Sequence, residues 1–278
     1  MTSVKFGPAG LGSVKDAISN LEAYHKLGFT ACEIAFTYGP YIKKKEDAEK
    51  IGKKAKELGI QLSMHGPYWI NLNSEEPEKI VKSKQRILEC CKVGDWLGAT
   101  KVVIHPGFYG KIKETKVSLI NPSFKLGVTP DVKKVAYENI KKALLEIEEE
   151  RKNLGYACKV AIETTGKMNV FGSYEETYNL VKETGCDFCI DFAHILAREK
   201  SYKFNDVFGL FKDFDEIHIQ FSGISYGEKG ERAHIKTAEK DLKELISNLP
   251  KNKRITIINE SPFPVEDSIE ALKIYSGK

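Results

Sequence analysis

The sequence predicts a single (β/α)8 TIM barrel spanning residues 1–278 as one domain. Three observations predict it. Eight short β-rich runs recur from one end of the chain to the other, amphipathic helical segments lie between them, and no linker divides the series. A length of 278 residues suits one such barrel and is enough to bury a substantial core. An open doubly wound sheet is the structural alternative, but eight alternating units are best accommodated by closure.

The runs are Val4–Pro8, Thr30–Phe36, Gln61–His65, Lys101–His105, Lys159–Glu163, Phe188–Asp191, Glu216–Gln220 and Arg254–Glu260. Each has the length and the apolar, β-branched character of a strand. After the first, Val14, Ile18 and Leu21 follow Ser13 at helical spacing. Asp16 is placed like a capping-box acid, and Gly28 like a helix-terminating glycine. Similar stripes occur at Ala48, Ile51, Ala55 and Leu58; at Val132, Val135, Ile140, Leu144 and Ile147; at Leu242, Leu245 and Leu249; and at Ile269, Leu272 and Tyr275. The longest interruption, Phe108 to Asp131, follows the fourth strand. It reads equally as a functional lid and as an insertion without a role.

A hydrophobic fraction of 41% and a charged fraction of 29% describe an ordinary globular protein and exclude disordered and fibrous classes. No apolar run approaches the roughly 20 residues of a membrane helix, and Met1–Gly12 lacks a basic stretch followed by an apolar one. The reading is a cytoplasmic monomer with no membrane partner. Cys32, Cys90, Cys91, Cys158, Cys186 and Cys189 sit in apolar segments and form no disulfide framework. Cys186 and Cys189 spell C-x-x-C, but strand residues three apart face opposite sides, so the pair chelates poorly. A net charge of +4 is compatible with nucleic acid without pointing to it.

The chemistry lies where the strands end. His65 ends the third run, His105 the fourth, Glu163 the fifth and Asp191 the sixth; His218 lies in the seventh, and Glu260 ends the eighth. One such residue reads as structural. In a barrel, however, these ends converge on one face, and imidazoles with carboxylates gathered there suit zinc or manganese. His194, together with Glu231 and His234 in the Gly-rich stretch 227–234, extends the set to nine possible ligands. At about three protein ligands per open site, nine residues suit two or three ions. His25 lies in the first helical segment and receives no role.

Seven motifs together resemble the endonuclease IV family, the apurinic/apyrimidinic endonucleases of the xylose isomerase-like barrel superfamily. They are His-Gly-Pro-Tyr-Trp-Ile-Asn-Leu (65–72), Val-Ile-His-Pro-Gly (103–107), Ile-Glu-Thr-Thr-Gly (162–166), Asp-Phe-Ala-His (191–194), Ile-His-Ile-Gln-Phe-Ser-Gly (217–223), Gly-Glu-Arg-Ala-His (230–234) and Asn-Glu-Ser-Pro (259–262). Singly they are weak; in this order they are specific. The resemblance implies one zinc on His65, His105 and Glu163. It implies a second on Asp191, His218 and Glu260, with Glu163 bridging, and a third on His194, Glu231 and His234. Manganese is an alternative at one site. The last set departs from the family pattern, because Glu231 stands where an Asp is expected and one extra residue separates it from His234.

The implied partner is duplex DNA containing abasic sites, as in base excision repair. The implied reaction is in-line attack of water on the phosphorus 5′ to the abasic sugar, leaving a 3′ hydroxyl and a 5′ deoxyribose phosphate. Glu163 and Glu260 are the implied catalytic carboxylates, orienting the attacking oxygen. Tyr68 and Trp69 match the family's inserted pair, an apolar wedge for DNA whose abasic nucleotide is turned out of the stack; an aromatic cap on the barrel is the other reading. Lys43, Lys44 and Lys45 either contact phosphates or form a solvated face. Two rival functions stand beside this one. A single-metal sugar isomerase or epimerase would use Glu163, Asp191, His218 and Glu260, and a non-catalytic DNA-binding barrel would keep the ions without turnover.

Overall fold

A computed structural model describes residues 3–110 and 129–277. Most of the Phe108–Asp131 interruption, residues 111–128, lies outside the described residues. Eight parallel strands form the barrel: β1 (Ser3–Pro8), β2 (Ala31–Ala35), β3 (Gln61–His65), β4 (Lys101–Ile104), β5 (Lys159–Glu163), β6 (Asp187–Asp191), β7 (Glu216–Phe221) and β10 (Arg254–Asn259). Their order in the sheet is β1-β10-β7-β6-β5-β4-β3-β2. A parallel bridge between Ala9 and Glu33 joins the two ends, supported by the Gly10 N–H donating to the Glu33 carbonyl at 2.7 Å. Gly7 lies at this seam, where a Cβ would stand 1.7 Å from the Ala31 carbonyl oxygen, so only glycine lets β1 approach β2.

The helices α1 (Ala17–Lys26), α2 (Lys45–Glu57), α3 (Pro77–Leu97), α4 (Pro130–Asn153), α5 (Tyr174–Thr184), α6 (Phe192–Glu199), α7 (Phe204–Leu210), α8 (Glu239–Asn248) and α9 (Pro264–Ser276) surround the strands. Among the described residues, none is long and apolar enough to cross a membrane. Alternation along each strand sends one set of side chains toward the helices and the other into the barrel. Leu62, Met64, Val102, Ile104, Val160 and Ile162 pack outward in one core, and Phe188, Ile190, Ile217, Ile219, Ile255 and Ile257 in the other. The interior, by contrast, is largely polar. At its lower end Lys5 donates to Gln61, Gln61 donates to Thr256, and Lys101 pairs with Asp187 at 2.9 Å. Val103, Ala161 and Cys189 form a small apolar cluster above it, and the strand-end histidines and carboxylates lie at the upper end.

One expectation is corrected. Ser13 and Asp16 do not form a capping box: Asp16 is itself the N-cap of α1 without a side-chain cap bond, and the Ser13 hydroxyl donates to the Asp16 carboxylate at 2.6 Å. The two side chains satisfy each other, which leaves neither free to cap the helix. The Gly-rich stretch 227–234 has a structure of its own. It belongs to an antiparallel hairpin, β8 (Gly223–Gly227) with β9 (Gly230–Ile235), which forms its own sheet and packs on α6.

Candidate metal centre

Glu163, at the end of β5, is the middle of the site. It is fully buried, and three imidazoles surround it. His65 Nε2 lies 3.0 Å from Oε2, while His105 Nε2 and His194 Nδ1 lie 3.0 and 2.9 Å from Oε1. His65 ends β3, His105 follows β4 by one residue, and His194 stands in the first turn of α6. The Asp191 side chain caps that helix by accepting from the His194 N–H at 2.8 Å, which sets Asp191 and His194 side by side. His194 Nε2 is then 3.4 Å from Glu231 on the hairpin, and the His194 and His234 rings meet edge to face at 5.2 Å.

Two groups of ligand atoms result, each with its members within 4.8 Å of one another: His65, His105 and Glu163; and Asp191, His194 and His234. Glu231 lies beside the second. Glu260 follows β10 and accepts from Gln220 at 2.9 Å. His218 stands deeper in β7, where its Nε2 is 3.1 Å from Glu33. Glu33 is a fully buried acid that strand-end reasoning missed, because it sits in the middle of β2. The detectable signal was one carboxylate inside an apolar run.

The hairpin is held close by glycine. At Gly166 a Cβ would come within 2.8 Å of Glu231, and at Gly230, where φ is +89°, within 2.1 Å of the Gly166 carbonyl oxygen. Buried Arg198 fixes the intervening loop. It donates to the carbonyls of Thr165, Lys167 and Val170 and to the hydroxyls of Thr165 and Tyr109. The pocket above the site has a volume of about 320 Å3, and Tyr68, Phe108, Thr165 and Lys167 are among the residues that line it. Tyr68 is 63% exposed; its neighbour Trp69, outside the pocket lining, is 56% exposed, and Tyr38 packs against it at 6.0 Å. Lys43 pairs with Glu89 at 3.5 Å, Lys44 is the N-cap of α2, and Lys45 pairs with Glu49. His25 contacts the Leu58 carbonyl and takes no part in the site.

Electrostatics makes this arrangement costly without a cation. Burial pushes the Glu163 carboxyl up, but the imidazoles of His105, His194 and His65 reverse this and hold it well below the ordinary range. Burial opposes charge on His65, yet Glu163, Glu260 and Glu33 lift it to about 10. Burial raises Asp191 to about 7 against the pull of His194, and raises Glu260 well above its usual value. His234, half-buried and desolvated beside His194, falls to about 4. The cluster therefore needs positive charge, which protons on imidazole supply when no ion does. His105 Nε2, Glu163 Oε1, Asp191 Oδ2 and His218 Nδ1 are buried without a hydrogen-bond partner among the described residues; His105 and Glu163 stand close but lack hydrogen-bond alignment. Orphaned lone pairs on a His and carboxylate set fit a divalent metal of the zinc type.

Known proteins share this architecture. An uncharacterized protein of Methanocaldococcus jannaschii is 32% identical over 98% of this chain and 96% of its own length. The crystal structure of endonuclease IV from Thermus thermophilus superposes with a TM-score of 0.68 at 19% identity, covering 98% of each chain. A 3-keto-D-glucoside 4-epimerase from E. coli superposes equally well, with a TM-score of 0.68 at 13% identity over the whole of both chains. At these identities both structures speak for the fold alone. A family model described as xylose isomerase-like TIM barrel matches residues 21–275, and with that match across nearly its whole length the chain belongs to the xylose isomerase-like TIM barrel family.

Proposed function

We propose that this chain is a metal-dependent phosphodiesterase that cuts the bond 5′ to an abasic site in duplex DNA. The observation that carries the reading is the presence of two separate ligand groups at one barrel mouth. A one-metal isomerase would use a single set and leave His65, His105, His194 and His234 unexplained. His65, His105 and Glu163 would hold one ion; Asp191, His194, His234 and Glu231 would hold another. Asp191, His218 and Glu260 are the set for a further ion, shared through Glu163. Zinc there, with manganese possible at one position, would supply a water acidic enough to be a nucleophile near neutral pH, and charge to offset the leaving 3′ oxygen.

The protein's own residues do the rest. Glu163, with an oxygen toward each side of the cluster, and Glu260, held by Gln220, orient the attacking oxygen. Lys167 at the pocket wall offers a cation to the phosphate. Tyr68 lines the pocket and Trp69 stands exposed next to it in the chain; as an aromatic wedge the two would fill the gap left by an abasic nucleotide. Lys43 and Lys44 are assigned to the flanking phosphates.

A second reading is a sugar epimerase, for which Glu163, Asp191, His218 and Glu260 would serve as a single-metal set. Metal content separates the two: two or three ions per chain support the nuclease, and one supports the epimerase. The direct test is nicking of a duplex carrying one abasic site, with chelated and zinc-reloaded protein. Glu163→Gln is expected to reduce nicking by more than the roughly 100-fold typical of losing an outer partner of a ligand. Unchanged activity would remove Glu163 from the mechanism.

A further inference from the structure

Glu33 is costly to bury. Its carboxylate is fully enclosed in the middle of β2, and an enclosed charge costs several kcal/mol unless its partners offset it. Three donors converge on it: the Ser63 hydroxyl at 2.7 Å and His218 Nε2 at 3.1 Å on Oε2, and the Gln220 amide at 2.6 Å on Oε1. The same Gln220 nitrogen also donates to Glu260 at 2.9 Å, and the Cys189 thiol donates to the Gln220 amide oxygen at 3.1 Å. Among the buried polar side-chain atoms of this network, one stands unpartnered among the described residues. His218 Nδ1 is buried with no hydrogen-bond partner among the described residues.

The partners of Glu33 decide what that atom is. The Gln220 amide nitrogen can only donate, so Oε1 accepts from it; Oε2 accepts from the Ser63 hydroxyl. With both oxygens engaged as acceptors, the proton of a neutral His218 ring belongs on Nε2, which faces Oε2, and a lone pair remains on Nδ1. A buried imidazole with one N–H bound to a carboxylate and its other nitrogen bare is the arrangement of a metal-ligating histidine with its supporting acid.

We propose that Glu33 is a positioning residue: it fixes the His218 tautomer so that Nδ1 ligates an ion, and through Gln220 it sets the direction of Glu260. Glu33 thereby ties two ligands of one ion to a single anchor on β2, across β1 from the strand that Glu260 follows. The inference rests on reading the barrel mouth as a metal centre.

The test uses the full-length protein, stripped of metal and titrated with zinc against a chromophoric chelator. Glu33→Gln is expected to keep the number of ions bound at saturating zinc while weakening one of them about 10- to 100-fold. His218→Ala should lose the same ion, and adding Glu33→Gln to it should cost nothing more, because the anchor acts only through its ligands. Wild-type zinc affinity in Glu33→Gln would overturn the proposal. If that variant does not fold, nitrogen-15 shifts of His218 in the wild-type protein decide: Nδ1 must be the nitrogen that moves on adding zinc while Nε2 stays protonated. Movement of Nε2, or of neither, would overturn it. Nicking of abasic duplex by the zinc-loaded wild type is scored separately, so a loss of that activity with the Glu33 effect intact rejects the nuclease and keeps the anchor.

Discussion

Single side chains at the rim separate binding from chemistry. Trp69 is exposed and has no ligand role, so Trp69→Ala should weaken binding of abasic duplex roughly 10-fold, in line with the ~1–3 kcal/mol of an aromatic stacking contact, while zinc content stays unchanged. Fluorescence anisotropy and metal analysis on one preparation check both halves. A different single pair governs acid stability. Burial raises Asp187, but Lys101 at 2.9 Å outweighs it and holds the carboxyl below its ordinary value of 3.8. A lowered folded pKa means stability that is complete above the unfolded value and lost as pH falls through the folded one. Asp187→Asn should therefore cost about 3 kcal/mol at pH 7, with the deficit shrinking below about pH 4. Urea midpoints across that range would show it, and a deficit independent of pH would count against the pair. Residues of this kind differed in legibility. His65, His105, Glu163, Asp191 and Glu260 were visible because each stands at or just past the end of an apolar run. Glu33 was hidden inside its run, where only the barrel's curvature reveals which neighbours it meets.

At the level of elements, the eight barrel strands were readable because each is a compact apolar run bounded by turns, and the observed limits differ from the expected ones by a residue or so at each end. The hairpin was not. Its two-residue turn, Glu228-Lys229, lacks the Asn-Gly or Asp-Gly signal, and its residues mix buried, half-buried and exposed positions without regular alternation. Helices α3 and α5–α7 also went unassigned, the first because Ser83 and paired cysteines occupy buried positions where a stripe of large aliphatics would be sought. The hairpin carries Glu231 and His234, which makes its seat consequential. Gly230→Ala would force a Cβ against the Gly166 carbonyl and lift β9 away from the loop. The expected result is weaker binding at the ion next to His194, by about 10-fold or more if its loss resembles that of a supporting partner, with unchanged far-ultraviolet circular dichroism. Zinc titration beside the wild type would detect it, and equal affinities would place the hairpin outside the centre.

For the whole molecule, the candidate ligands come from the ends of β3, β4, β5, β6 and β10, from within β7, from α6 and from the hairpin, so the proposed centre exists only when the barrel is complete. An ion that binds the folded chain alone stabilises it by about 4 kcal/mol at a thousandfold excess over Kd. Zinc should therefore raise the melting temperature of the chelated protein by roughly 10 °C. Calorimetry with and without zinc measures the shift, and no change would mean that the orphaned donors do not bind an ion.

Because β8 and β9 form a sheet of their own, the flap between Gly223 and Ile235 can grow, shrink or tilt while every barrel strand keeps its register. Descendants of this architecture can alter what they grasp by editing thirteen consecutive residues, leaving the vessel beneath untouched.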